Sequence, residues 1–227
     1  MKVLITGSDG GLGKFLCEEL GKKNDVFKFN RSSNYQDIKD KYFDLIIHCA
    51  ARIQHCNWDN VDYSFLNDNI FLTKKISSIN HKKFIYISSI DQNQDTPYGI
   101  SKRISEKIIS SQKSEFCIIR PSGLIGKGMK ENTFLKIVKD LPIALTSDSI
   151  LDFTLYEDVL KVIEDNINGV INLTSNESIT VGNIVKILKR ENVSFGNIKF
   201  KINFVESDFD TKRSSKEKIL YIEEELL

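Results

Sequence analysis

An apolar run, Val3-Leu4-Ile5, leads directly into Thr6-Gly7-Ser8-Asp9-Gly10-Gly11-Leu12-Gly13, and a helical stripe follows in which Leu12, Phe15, Leu16 and Leu20 fall at i, i+3, i+4 and i+8. Strand, glycine loop and amphipathic helix in that order leave few architectures open. Further short apolar runs follow at Val26-Phe27-Lys28-Phe29, Leu45-Ile46-Ile47, Phe84-Ile85-Tyr86-Ile87, Phe116-Cys117-Ile118-Ile119 and Val170-Ile171-Asn172-Leu173. Most of them do not alternate with polar residues, as befits strands covered on both faces. The recurrence of strand and helix predicts an α/β fold, a doubly wound parallel sheet whose ligands sit at the carboxyl ends of the strands.

Composition narrows the partners. The 227 residues, 41% hydrophobic and 28% charged, suffice for one full-sized domain with a small appended lobe. Thirty-two basic and thirty-one acidic residues are interspersed and leave a formal charge of +1. That balance gives no grounds for nucleic acid or an anionic membrane as partner and favours a small molecule. No run approaches the roughly 18–20 apolar residues of a membrane span, and Met1-Lys2-Val3-Leu4-Ile5 enters a strand rather than a signal sequence, so a cytoplasmic location is expected. Cys17, Cys49, Cys56 and Cys117 show no metal-ligand spacing with His48, His55 or His81, so no metal site is expected.

Gly7, Gly10 and Gly13 are spaced G-x-x-G-x-x-G. In such a loop the first glycine makes the tight turn, the second lets backbone approach a pyrophosphate, and the third lets helix pack on strand. Ser8, Asp9, Gly11 and Leu12 complete the loop, and the helix start offers N–H donors and partial positive charge to a phosphate. The second strand ends in Asn30-Arg31-Ser32. An acidic residue there would suit the ribose hydroxyls of NAD, whereas arginine beside small hydroxyls suits the 2′-phosphate, so NADP(H) is favoured over NAD(H).

Tyr98 and Lys102 stand four apart on a helix predicted from about Thr96 to Ser111, with Ile100, Ile104 and Ile108 as a separate apolar stripe for packing. Chance supplies about one Tyr-x-x-x-(Lys/Arg) match in such a composition, and Tyr35 with Lys39 is that accident. The context gives Tyr98 its weight. Hydride reduction of a ketone leaves negative charge on oxygen and calls for a proton donor plus a second hydrogen bond. A phenol beside a cation is a candidate donor, because the cation lowers its pKa. Ser89, at the end of the run Phe84 to Ile87, would hold the substrate oxygen, with Ser88 beside it.

These residues, taken with His48-Cys49-Ala50-Ala51, Asn69 with Thr73, Arg120-Pro121, Gly126, Asp152-Phe153 and Glu157-Asp158-Val159, stand in an order that resembles the extended short-chain dehydrogenase/reductase family of nucleotide-sugar epimerases and reductases. The resemblance covers nearly the whole chain. It implies a Rossmann-type domain over 1–227 with a small C-terminal substrate lobe from 126–149 and 175–227. It also implies that Ala50 and Ala51 admit the cofactor and that Asn69 orders a proton-relay water. Lys102 would bind the nicotinamide ribose, and Arg120 and Pro121 would border the cofactor. Ser88, Ser122 and Gly123 would face the substrate, with Lys127, Lys130 and Arg213 available to an anionic one. A homodimer through helices beside the Tyr98 helix is the family's habit. The implied activity is NADP(H)-dependent reduction of a nucleotide-linked 4-keto sugar. An NAD-dependent 4-epimerase and a non-catalytic NADP-sensing protein are the alternatives.

The chain departs from the family in three places. Only nine positions separate Ser89 from Tyr98, where the typical members carry a longer, pocket-lining loop. About a dozen residues join Arg31 to Leu45, too few for the usual helix, strand and helix, so a trimmed adenine pocket using Asp37-Ile38 is expected. Leu151 precedes Asp152 where many epimerases carry an arginine.

Overall fold

The computed structural model describes residues 1–53, 58–62, 64–202 and 205–226. In chain order the opening elements are β1 (Lys2–Thr6), α1 (Gly11–Gly21), β2 (Asp25–Phe29) and β3 (Phe43–His48). A continuous helical stretch follows, formed by α2 (Ser64–Leu66), a π turn over Asn67–Phe71, and α3 (Leu72–Ser77). Next come β4 (His81–Ile87), α4 (Pro97–Ser110), β5 (Glu115–Pro121), β6 (Gly123–Ile125), α5 (Thr133–Val138), β7 (Ile143–Leu145), β8 (Ile150–Leu151) and β9 (Phe153–Leu155). The chain ends with α6 (Tyr156–Glu164), β10 (Gly169–Leu173), β11 (Ile179–Thr180), α7 (Val181–Ile187), β12 (Phe195–Ile198) and α8 (Ser215–Leu226). It divides into two compact units, 1–120 with 160–171 and 121–159 with 172–227.

The first unit is built on a six-stranded sheet in the order β10-β5-β4-β3-β1-β2. All six apolar runs of the sequence are its strands. β1 to β5 pair in parallel, and their register aligns Thr6 with Phe29 and His48, His48 with Tyr86, and Ile87 with Ile119. The loops after these residues therefore leave the sheet along one carboxyl edge. Alternation along the strands sends Leu4, Ile46, Phe84, Tyr86 and Ile118 to one face, where Ile76, Ile79 and Ile109 complete a core. Leu12, Leu16 and Leu20 bury the stripe of α1. In place of a further helix and strand between β2 and β3 there is only a 3-10 turn, Tyr35–Asp37. Ile38 is buried in the core just described, while Asp37 stays exposed, so β2 remains the sheet's edge.

The second unit contains three two-stranded sheets: β6 with β9 parallel, β8 with β11 antiparallel, and β7 with β12 parallel. Phe134 and Phe153 meet with ring centroids 5.6 Å apart. Lys218 is wholly buried and donates to the Phe153 carbonyl at 2.9 Å and to Asp158 at 3.2 Å. Asp152 accepts from the Ser175 N–H and, at 3.0 Å, from Ser215 Oγ. Both acidic residues thus hold α8 inside this unit. Gly126 is required there, since a Cβ on it would stand 2.2 Å from the Tyr156 ring.

Candidate active site

The glycine loop leaves β1 at the carboxyl edge. Gly7 has φ +68°, a conformation that suits glycine, and a Cβ on it would lie 2.9 Å from the Ala50 nitrogen. On Gly13 a Cβ would lie 2.2 Å from the Gly7 carbonyl oxygen. Gly10 is looser, with the Gly7 oxygen at 3.2 Å as the nearest obstacle. The first glycine therefore lets the turn close onto the chain at Ala50, the third lets it close onto its own backbone, and the second is the least hindered. Gly10 is the N-cap of α1 and supplies no side-chain cap. That leaves the N–H groups of the first turn, at Gly11, Leu12 and Gly13, without a side-chain cap. Ser8 is 3% exposed and its hydroxyl has no hydrogen-bond partner among the described residues. An uncapped helix start beside an orphaned buried hydroxyl fits a dinucleotide pyrophosphate, with exposed Asp9 at the rim.

Beside it, Asn30 Oδ1 accepts from Ser32 N at 3.0 Å and Ser33 Oγ at 3.0 Å, and Ser33 Oγ accepts from Asn30 N at 2.9 Å. This closed turn projects Arg31 and Ser32 into solvent. Ser33 contributes by fixing the turn.

Ser89, Tyr98 and Lys102 come together on the same edge. Thr96 caps α4 by accepting from Gly99 N at 3.0 Å, and Pro97 occupies a first-turn position that needs no donor. Tyr98, half-buried in that first turn, is hydrogen-bonded to Ser89. Lys102 is buried, and its Nζ donates to the Ile87 carbonyl at 2.7 Å and lies 4.8 Å from the Tyr86 ring centroid and 5.7 Å from that of Tyr98. Burial pulls the Lys102 ammonium down to about 8, against Cys49 and Glu106, which act to raise it. Burial, with Asp91 as the second cause, holds the Tyr98 phenol well above its ordinary value, and the Ser89 hydrogen bond acts the other way. The expected lowering of Tyr98 by Lys102 is thus not what this geometry gives: the ammonium is turned to a backbone carbonyl, and desolvation dominates.

The face of α4 turned inward also differs from expectation. Ser101, Lys102, Ser105 and Glu106 are buried, whereas Ile104 is 41% exposed and Ile100 and Ile108 are half-buried. Each of these four buried polar residues has a partner. Ser101 Oγ donates to the Tyr98 carbonyl at 2.7 Å and Ser105 Oγ to the Asn69 carbonyl at 2.9 Å. Glu106 takes a bidentate pair from Arg120, at 2.9 and 2.6 Å, and a 2.5 Å hydrogen bond from Ser88 Oγ. Arg120 and Ser88, expected at cofactor and substrate, are here claimed by Glu106, which clamps the ends of β4 and β5 to α4. Glu106 was missed in the sequence, although its spacing of four from Lys102 and eight from Tyr98 placed it on their face.

Asn69 lies in the π turn. Its Oδ1 accepts from Arg52 N at 2.8 Å, and its Nδ2 donates to Arg52 O at 3.0 Å and Ser101 Oγ at 3.1 Å. The amide expected to order a relay water instead fixes the chain after Ala50-Ala51. From there the hydrogen bonds run inward. Thr73 Oγ1 donates to the Asn69 carbonyl at 2.6 Å, so it accepts from His48 Nε2 at 2.9 Å. Thr6 Oγ1 accepts from Ala50 N at 3.2 Å, so it donates to His48 Nδ1 at 2.6 Å. His48 is therefore the neutral Nε2–H tautomer, and burial drives it down to about 3. Cys49 beside it is pushed up to about 12, first by burial, which keeps it a thiol.

In the second unit, Ser122 N donates to Leu173 O at 3.1 Å, and its hydroxyl meets Thr154 Oγ1 at 2.8 Å. Gly123, exposed, donates its N–H to Asp152 O at 3.1 Å, and Pro121 ends β5. Arg213 stacks on Tyr221 at 4.4 Å, while Lys127 and Lys130 are exposed. Among the described residues no cluster of three or more metal-binding side chains occurs, and no helix is long and apolar enough to cross a membrane. His55 and Cys56 lie outside the described residues.

Residues 3–163 match the model of the family described as NAD dependent epimerase/dehydratase. Over 198 residues the chain is 27% identical to a UDP-2-acetamido-2,6-beta-L-arabino-hexul-4-ose reductase of Pseudomonas aeruginosa, covering 76% of this chain and 52% of that protein. It thus spans about half the length of that curated relative. In fold it is similar to MoeE5, solved with UDP-glucuronic acid and NAD, at a TM-score of 0.80 and 15% identity over 99% of this chain and 98% of that one. It is also similar to UDP-glucuronic acid 4-epimerase from Bacillus cereus, solved with the same ligands, at 0.72 and 20% identity over 88% and 87%.

Proposed function

The chain belongs to the NAD dependent epimerase/dehydratase family, and from that premise we propose that it is an NADP(H)-dependent reductase of a nucleotide-linked 4-keto sugar. The observation that carries this reading is the convergence of Ser89, Tyr98 and Lys102 on the sheet edge that also bears the glycine loop. The relative named as a 4-ketosugar reductase supports the substrate class. Arg31 and Ser32, held out on a closed turn beside the loop, support NADP(H).

When bound, the reduced nicotinamide supplies the hydride that converts the carbonyl to an alcohol. Everything else falls to the chain. The N–H groups of Gly11 to Gly13 and the Ser8 hydroxyl hold the pyrophosphate, and Lys102 holds the nicotinamide ribose. Tyr98, kept in its phenol form by burial, gives its proton to the carbonyl oxygen as the C–H bond forms, and Ser89 donates the second hydrogen bond to that oxygen. Ile104, 41% exposed on α4, and Phe71, 59% exposed on the π turn, suit a two-fold dimer through these helices.

Tyr98→Phe tests the assignment, because it removes one hydroxyl and little volume. Turnover of a UDP-4-keto sugar should fall by about 10²–10⁴-fold while the NADPH dissociation constant stays within about twofold. Turnover within tenfold of wild type would refute Tyr98 as the donor. NAD that copurifies and survives dialysis would favour a 4-epimerase.

A further inference from the structure

The short connection between Ser89 and Tyr98 brings a carboxylate to the site. Asp91 lies on a 3-10 turn, Ile90–Asn93, whose N-cap is Ser89. Its N–H donates to Ser89 Oγ at 3.1 Å, and its Oδ2 accepts from the same hydroxyl at 3.3 Å. Gln94 Nε2 holds Oδ1 at 2.9 Å. The turn is strapped to α4: Arg103 donates to Gln92 O at 3.0 Å and Gln94 O at 3.2 Å, and the backbone of Asp91 packs directly against Gly99.

A carboxylate only accepts, so Ser89 directs its proton at Asp91 until a ketone oxygen takes that hydrogen bond. Ser89 thus stands between the Tyr98 phenol and the Asp91 carboxylate. Among the described residues, titratable and charged groups approach Tyr98 from three elements. Lys102 approaches from α4 with its ammonium bound to Ile87 O, Tyr86 approaches from β4, and Asp91 from the turn. Arg103 and Asp95, at the exposed side of the strap, pair with each other at 3.7 Å.

We propose that Asp91 is a positioning residue that keeps Tyr98 in its proton-bearing form, so that the site is set to give a proton to a ketone rather than to take one from an alcohol. This rests on the reading of Tyr98 as proton donor. The physical cause is like-charge exclusion: a phenolate formed one hydroxyl away from a carboxylate, in a partly dry site, would place two anions together. Asp91 does indeed act on Tyr98 in the raising direction.

The test is a titration of Tyr98 in the full-length protein labelled with ¹³C at tyrosine Cζ, its signal identified by its loss in Tyr98→Phe. In Asp91→Asn the signal should begin to move toward phenolate about 1 pH unit lower than in wild type. Asp91→Glu, which keeps the charge, should restore the wild-type behaviour. The alkaline limb of kcat/KM for ketone reduction should shift down in step in Asp91→Asn. A Tyr98 signal that titrates no earlier in Asp91→Asn overturns the proposal, as does activity that drops evenly at every pH with the limb unmoved. If the signal shifts as expected but Tyr98→Phe turns over like wild type, the coupling holds and the proton-donor reading is the part that fails.

Discussion

A Cβ on Gly99 would stand 2.4 Å from the Asp91 carbonyl oxygen and 2.5 Å from that of Gln94. Both obstacles are backbone, which cannot swing aside as a side chain does. Gly99→Ala should therefore lift the 90–95 strap off α4 and loosen Ser89 against Tyr98. The expected outcome is a loss of stability of about 1–3 kcal/mol in urea unfolding and a larger proportional fall in kcat than in NADPH affinity. Wild-type stability and kcat in this variant would show that the strap is not seated on Gly99. Neither Gly99 nor Asp91 stands out in the sequence, because what gives them meaning is a contact between a turn and a helix start. By contrast Gly7, Gly10 and Gly13 were legible, since their spacing and their place between strand and helix encode the contact locally.

Among the elements, the strands were the most legible, because short apolar runs of three or four residues mark strands buried on both faces. Helix α4 was legible in extent but not in orientation. Its isoleucines suggested the packed face, yet the helix buries Ser101, Lys102, Ser105 and Glu106 instead. Hydrophobic periodicity cannot foresee this, since burying a polar side is favourable only when partners on other elements satisfy it. Glu106 shows the scale of that requirement. It is 9% exposed at its side chain and joins Arg120 and Ser88. Glu106→Gln should leave the Arg120 guanidinium without its countercharge and cost about 3 kcal/mol of unfolding free energy. A loss under about 0.5 kcal/mol would mean the pair behaves as a surface ion pair.

For the molecule as a whole, the sheet order and the carboxyl-edge placement of the loops follow from the βα repeat, whereas the His48 chain from Thr6 to Asn69 joins three separate elements and has no sequence signature. That chain leaves a mark on acid stability. The folded protein keeps His48 neutral down to about 3, while the unfolded chain takes up the proton near the ordinary histidine value of 6.5. Between those limits the unfolded state binds more protons, so stability falls as pH drops through that window, by up to ~1.4 kcal/mol per pH unit from this group. His48→Asn should flatten the decline relative to wild type, as read from unfolding free energies at pH 4, 5 and 6 on the scale of the same linkage. Parallel curves for the two proteins would place the origin of the acid sensitivity elsewhere. Net reduction of a ketone can be read by counting equivalents with NADPH deuterated at nicotinamide C4. About one NADPH should be oxidised for each 4-keto sugar consumed, with deuterium recovered at sugar C4. Interconversion of two C4 epimers with no net NADPH oxidation would contradict it.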